Sequence, residues 1–217
     1  MRKVAFIGGY DKADLMIYTC KIIKLLGKRI LYVDTSLTEK TKYIVPTMNP
    51  TSKYVTTFDG IDIAVGFENT QELNEYILFD IDNPEKYTNF GLTPKDLHFF
   101  VTSFDVYSVQ RGIDVLKAIT ELTDITKVFF TKDAHSEEGE YLDFATFNYR
   151  VKWNKEVVYF PFDTSDLYAI FLNQRFSKVR FSGLSSQYID CIAYLVELIT
   201  GTSNGEIKRA VKKIDRA

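Results

Sequence analysis

Short apolar runs punctuate the chain, and helical patterns separate them. Lys3 to Ile7 is an apolar run that stops at Gly8-Gly9, which reads as a buried strand ended by a turn. From Leu15 to Leu26 the apolar positions Leu15, Ile22, Ile23 and Leu26 fall on one side of a helix, with Lys21 and Lys24 between them and Gly27 as a stop. Arg29 to Val33 is a second buried run, ending at Asp34. Strand, glycine turn, helix and strand thus fit in the first 34 residues. That is a βαβ unit with a right-handed crossover.

The alternation continues. Asp62–Gly66, Tyr76–Phe79, Leu97–Thr102, Lys127–Thr131 and Val157–Phe160 read as strands. Glu72–Tyr76 reads as a short helix. Ser108–Leu122 reads as an amphipathic helix with Val109, Ile113, Leu116 and Ile119 on one face, and Tyr188–Ile199 as a strongly apolar one. His135–Glu140 reads as an acidic loop, and Gly201–Gly205 as a polar hinge. The expectation is an α/β fold: a doubly wound, mostly parallel sheet flanked by helices. The main domain spans 1–204. Residues 205–217 form a basic amphipathic helix with Ile207, Ala210, Val211 and Ile214 on its apolar side.

Composition narrows this little. The apolar share of 46% and charged share of 26% suit a globular core in a chain of 217 residues. The net charge of -2 gives no bulk attraction to nucleic acid, which argues against a nucleic-acid partner. Cys20 and Cys191 are too far apart in sequence for metal-type spacing and read as reduced thiols. No leader-like start and no apolar run of transmembrane length is seen, which points to a cytoplasmic protein.

Ligands of open parallel sheets gather at the carboxyl ends of strands. Gly8-Gly9, Asp34, Asp80 with Asp82, and Pro161-Phe162-Asp163 all fall there. The glycine turn before a helix is an anion site, because free N–H groups and the helix dipole point at it. Carboxylates on neighbouring strands could hold Mg²⁺. Each feature also has a plain structural use, as a tight turn or a helix cap. His98 and His135 lack metal or triad partners, and Asp105 reads as a helix cap.

Ile7-Gly8-Gly9-Tyr10-Asp11-Lys12-Ala13-Asp14-Leu15 resembles the deviant KGGxGKTT phosphate loop of the MinD/ParA family. Gly27-Lys28-Arg29-Ile30-Leu31-Tyr32-Val33-Asp34 resembles the family's GKRVLLID strand, and Ile77–Asp82 its Walker B strand. Val158–Asp163 looks like its late IPxD segment. The likeness spans nearly the whole chain and extends to the pilus-localisation relatives of the TadZ/CpaE type. It implies a P-loop NTPase fold and a nucleotide site made by Gly8, Gly9, Tyr10, Asp11, Lys12, Ala13, Asp14, Asp34, Pro161 and Asp163. It further implies ATP or ADP with Mg²⁺ held through Asp34, Asp80 and Asp82, with Asp34 and Asp80 the catalytic candidates if the site is active.

The departures from the family pattern point the other way. Ala13 stands where a metal-binding hydroxyl is needed. Asp11 replaces a glycine, Asp14 adds a carboxylate, and Ile7 replaces the lysine that completes a neighbouring active site. Losing one transition-state contact lowers rates by about 10²–10³-fold. The expectation is a regulatory or scaffold protein with little or no ATP hydrolysis, serving a pilus, secretion, division or partition machine. A slow but genuine ATPase and a DNA-partition protein are the alternatives. The resemblance also implies a homodimer, a protein partner, and peripheral contact with the inner face of a membrane through Ile207, Lys208, Val211, Lys212 and Ile214.

Overall fold

The computed structural model describes residues 1–45, 54–66, 74–130, 136–161 and 163–214. The chain runs β1 (Arg2–Ile7), α1 (Ala13–Leu25), β2 (Ile30–Asp34), α2 (Thr41–Ile44), β3 (Tyr54–Phe58), β4 (Ile61–Val65), β5 (Tyr76–Ile81) and α3 (Pro84–Asn89). It continues β6 (Leu97–Thr102), α4 (Val106–Leu116), β7 (Thr123–Phe130), α5 (Ser136–Ala145), β8 (Val151–Phe160), α6 (Thr164–Arg175), α7 (Ser186–Thr200) and α8 (Asn204–Ile214). One sheet of eight strands has the order β3-β4-β2-β5-β1-β6-β7-β8. Every pairing is parallel except the β3–β4 hairpin at one edge.

The winding reverses at β1. The connection through α1 carries the chain to one side of it, and the connection through α3 carries it from β5 across to β6. Such a reversal opens a crevice at the carboxyl ends of β5, β1 and β6. β1 shows why the strands read as continuous apolar runs: Val4 and Phe6 enter the core on one face, and Ala5 and Ile7 enter that on the other. On the first face lie α1, α6, α7 and α8. On the second lie α3, α4 and α5.

Helix α1 is buried nearly all round, from Leu15 through Ile23, rather than along one stripe. Even Lys21 is covered, its Nζ 2.7 Å from Asp59 Oδ2 in the β3–β4 turn. This follows from its place under both α7 and α8.

Several boundaries differ from the sequence expectation. The helix expected over Ser108–Leu122 begins at Val106, after Asp105 accepts the Ser108 N–H at 2.8 Å, and ends at Leu116. Single turns then lay Ile119 into the core, so the apolar spacing outlasts the helix. Ser136–Glu140 is not loop but the first half of α5, which is anchored by the fully buried Leu142. His135, Thr131 and the first two residues of the expected Glu72–Tyr76 helix lie outside the described residues; Asn74 and Glu75 are not helical, and Tyr76 begins β5. β8 starts six residues before Val157, because an edge strand can carry polar residues such as Lys152 and Glu156. α6 escaped notice, since its apolar residues form no stripe: Tyr168 and Phe171 face out while Asp166 is buried.

Gly201 ends α7 with φ of 73°, and α8 begins at Asn204, so the expected hinge is shorter and Gly205 is helical. Ile207 is fully buried and Val211 nearly so, in the same core as α1 and α7. Lys208 Nζ sits 2.7 Å from Asp190 Oδ1 on α7. The apolar face expected to meet a membrane or partner is therefore covered by the protein itself. Ile207→Ala should lower the unfolding free energy by about 2–4 kcal/mol, measured by urea denaturation; a surface-docked helix would give a change near zero.

Candidate functional site

The turn after β1 admits little but glycine. Gly8 has φ of 143°, and a Cβ there would lie 2.1 Å from the Val101 carbonyl oxygen. Its N–H donates to Ile81 O at 3.0 Å, tying the turn to the end of β5. A Cβ on Gly9 would lie 2.6 Å from Arg111 Cβ on α4. The turn is thus wedged between two strands and α4, and it delivers Lys12 to the start of α1.

Lys12 is buried, with 2% of its surface exposed. Its Nζ lies 2.8 Å from Asp80 Oδ1, and it donates to the carbonyls of Gly8 at 2.5 Å and Tyr10 at 3.1 Å. Two donors of the ammonium thus go to backbone carbonyls, and its charge lies against the Asp80 carboxylate. Asp11 Oδ1 accepts the Ala13 N–H at 3.2 Å, one of the free groups at the start of α1. Its other oxygen pairs with Lys40, just before α2. A carboxylate of this chain therefore occupies the position where the helix start would receive an anion. Asp14 points elsewhere: its carboxylate accepts from Gln174 Nε2 of α6 at 2.8 and 3.1 Å, and burial raises its pKa. Tyr10 stacks on Phe130 with ring centroids 4.7 Å apart, and burial, with Asp11 and Asp14 nearby, raises its hydroxyl to about 12.

The neighbouring strand ends supply three more carboxylates. Asp34 and Asp80 are register partners on β2 and β5. Asp34 accepts from the Ser36 N–H at 3.0 Å, the Ser36 hydroxyl at 2.7 Å and the Thr41 N–H at 3.1 Å. Asp82 accepts the Leu37 N–H at 3.0 and 3.1 Å. Thr35 donates to the Asp80 carbonyl at 2.6 Å. The segment 35–41 is pinned at each of these points, and that places Lys40 over Asp11. Asp80, buried beside Lys12, has its pKa raised to about 7. Burial is the main cause; Lys12 pulls it down, while Asp34 and Asp82 push it up.

The structure thus brings together Gly8 through Lys12, Asp34, Asp80 and Asp82. Asp14 turns away to α6. Pro161 and Asp163 lie at the end of β8, separated from β1 by β6 and β7, or about 14 Å at the usual strand spacing. Asp163 caps α6 by accepting the Ser165 N–H at 2.9 Å; Phe162 lies outside the described residues. Lys40 and Arg111, whose guanidinium donates to the Asp82 carbonyl at 3.0 Å, join the site with no sequence signal, and Gln174 draws Asp14 out of it. Lys40 sits in a polar run that looks like any solvated loop.

In this arrangement the residues do not fit a magnesium–triphosphate. Ala13 offers no hydroxyl, the Ala13 N–H is taken by Asp11, and Lys12 is held by Asp80. Asp34, Asp80 and Asp82 are turned to different partners, and among the described residues no three His, Cys, Asp or Glu side chains are grouped to hold a metal.

The MinC:MinD cell division protein complex of Aquifex aeolicus is similar in structure, with a TM-score of 0.61 and 12% identity over 94% of this chain and 97% of that one. So is the MinD cell division protein of the same organism, at 0.59 and 11% over 94% and 98%. This chain has a MinD-type fold. No family model and no curated protein matches the sequence. The Lys12 and Asp80 pair sits at the β1–α1 turn and the end of β5, in the crevice where the winding reverses. Among the described residues no helix is long and apolar enough to cross a membrane.

The raised Asp80 pKa has a definite sign. Its folded value of about 7 exceeds the ordinary 3.8, so the stability it contributes is full below about pH 4 and is lost as pH rises towards 7. Lys12→Met removes the cation that lowers it. The decline should then continue above pH 7 in that variant but level off in the parent, as read from urea unfolding at stepped pH. Superimposable pH profiles would show that Lys12 does not sense Asp80.

Proposed function

We propose that this chain is a MinD-fold regulatory or scaffold protein whose phosphate loop is closed by its own side chains, with little or no ATP hydrolysis. The observation that carries this reading is the Asp11 carboxylate on the Ala13 N–H, with Lys40 across it. An anion at the start of α1 must displace that carboxylate and draw Lys12 from Asp80. Hydrolysis needs positioned cations and a metal, and Ala13 and Ile7 provide neither. Nucleotide binding through Gly8, Gly9, Lys12 and Asp34 is therefore weak and separate from turnover.

Such a protein acts by holding partners rather than by chemistry. One similar structure is a MinD joined to MinC, which supports a protein partner for this chain. By analogy the process is positioning of a pilus, secretion, division or partition machine. With Ile207 and Val211 covered, α8 offers an anionic membrane exposed cations such as Arg209, Lys212 and Lys213.

The test is calorimetric titration with ATP and Mg²⁺, alongside phosphate release. The parent chain should bind more weakly than about 1 mM. Asp11→Asn keeps a cap but removes the charge, and it should tighten binding by about 10–100-fold, with no turnover in either. Phosphate release by the parent chain that disappears in Lys12→Ala would establish the slow ATPase instead.

A further inference from the structure

Two exposed patches of opposite charge lie on opposite faces of the sheet. The first is a groove of about 380 Å³ between α6 and the strap 176–184 that follows it. Tyr168, Leu172 and Phe176 line it, and Tyr168 and Phe176 are 65% and 67% exposed. Lys178 and Arg180 stand at its rim. From Asp166 to Asp190 the sequence carries Arg175, Lys178 and Arg180 and no intervening acid.

The groove is built rather than loose. Asn173 on its floor donates to Arg180 O at 2.7 Å, the Val179 N–H donates to Asp59 Oδ2 at 3.0 Å, and Phe181 and Leu184 are buried beneath it. None of the three cations is paired with a carboxylate among the described residues.

The second patch is on α5 and the turn after it. Tyr141, Phe144 and Phe147 recur every third residue and are 48%, 83% and 84% exposed. From Ser136 to Tyr149 the sequence carries Glu137, Glu138, Glu140 and Asp143 and no Lys or Arg, with Asp143 paired to Lys127 of β7. Scattered exposed aromatics are ordinary; three together on an acidic helix are not. α5 packs through Leu142 on the face of α3 and α4, and α6 packs through Ala169 and Ile170 on the face of α1 and α7. A molecule cannot bring its own α5 to its own groove.

We infer that the α5 patch of one copy docks in the α6 groove of the next, so that the chain assembles head to tail. The sites differ, so the contact is heterologous and repeats into a ring or an open filament. Charge sets the pairing: Glu140 meets Lys178 and Arg180, and the aromatic rings fill the groove. Five aromatic side chains at roughly 150–250 Å² each make a contact of the small, transient class. The contact is thus of about micromolar strength, and salt weakens it.

Sedimentation velocity of the full chain over a concentration series should show reversible growth beyond a dimer, suppressed at high salt. Lys178→Glu with Arg180→Glu destroys the groove, and Phe144→Ser with Phe147→Ser destroys the α5 patch. All four positions are exposed, and circular dichroism reports whether each double variant keeps its fold. Each should stay monomeric alone. Mixed in equal amounts they should form a dimer that grows no further, because one intact groove meets one intact patch. A parent chain that remains monomeric at about 100 µM, well above the expected constant, overturns the inference. So does growth by either folded double variant alone, or a mixture that stays monomeric.

Discussion

The buried Lys12–Asp80 pair is the interaction around which the crevice is built. An ammonium with 2% exposure must be neutralised and hydrogen-bonded where it lies. Asp80 supplies the charge, and the carbonyls of Gly8 and Tyr10 take the remaining protons. Those carbonyls can reach Lys12 only because Gly8 turns where a side chain would strike Val101. The glycine turn, the end of β5 and the start of α1 are therefore one electrostatic unit.

That unit sets the character of its surroundings. With Lys12 committed inward, the N–H of Ala13 is left for the carboxylate of Asp11, and Asp11 draws Lys40 from the segment that Asp34 and Asp82 pin. Asp34 and Asp82, which as strand-end acids suggest a metal site, act instead as caps for the loop after β2. Asp34 accepts from Ser36 and Thr41 and Asp82 from Leu37, so their oxygens are turned to the loop rather than to a shared metal position.

Much of this was legible in the sequence, for reasons that can be stated. Continuous apolar runs ending in Gly8-Gly9, Asp34 and Asp80 mark buried parallel strands, and the order of those ends predicts the crevice. Asp105 was readable as a cap because its position before an amphipathic stretch has one common use. Other parts carried no pattern. α6 mixes outward Tyr168 with inward Asp166, whose carboxylate accepts from Ser185 at the start of α7, so tertiary hydrogen bonding overrides periodicity. The pairings of Lys40 and Gln174 join residues distant in sequence, and nothing in the local composition of either marks it. The distance of Pro161 and Asp163 from β1 depends on strand order, which the β8 sequence does not encode.

Helix α1 has a consequence for the order in which the chain can become stable. Its covering surfaces are α7 and α8, and Arg2 beside it donates to Ile199 O at 2.7 Å across 197 positions. During synthesis α1 thus waits for α7 and α8, which lie far later in the sequence. Until then its apolar flanks stay open to water, and contacts of such long separation close slowly. A MinD-type fold wound in this way is a ring in time: α1 is not covered until α7 and α8 are made.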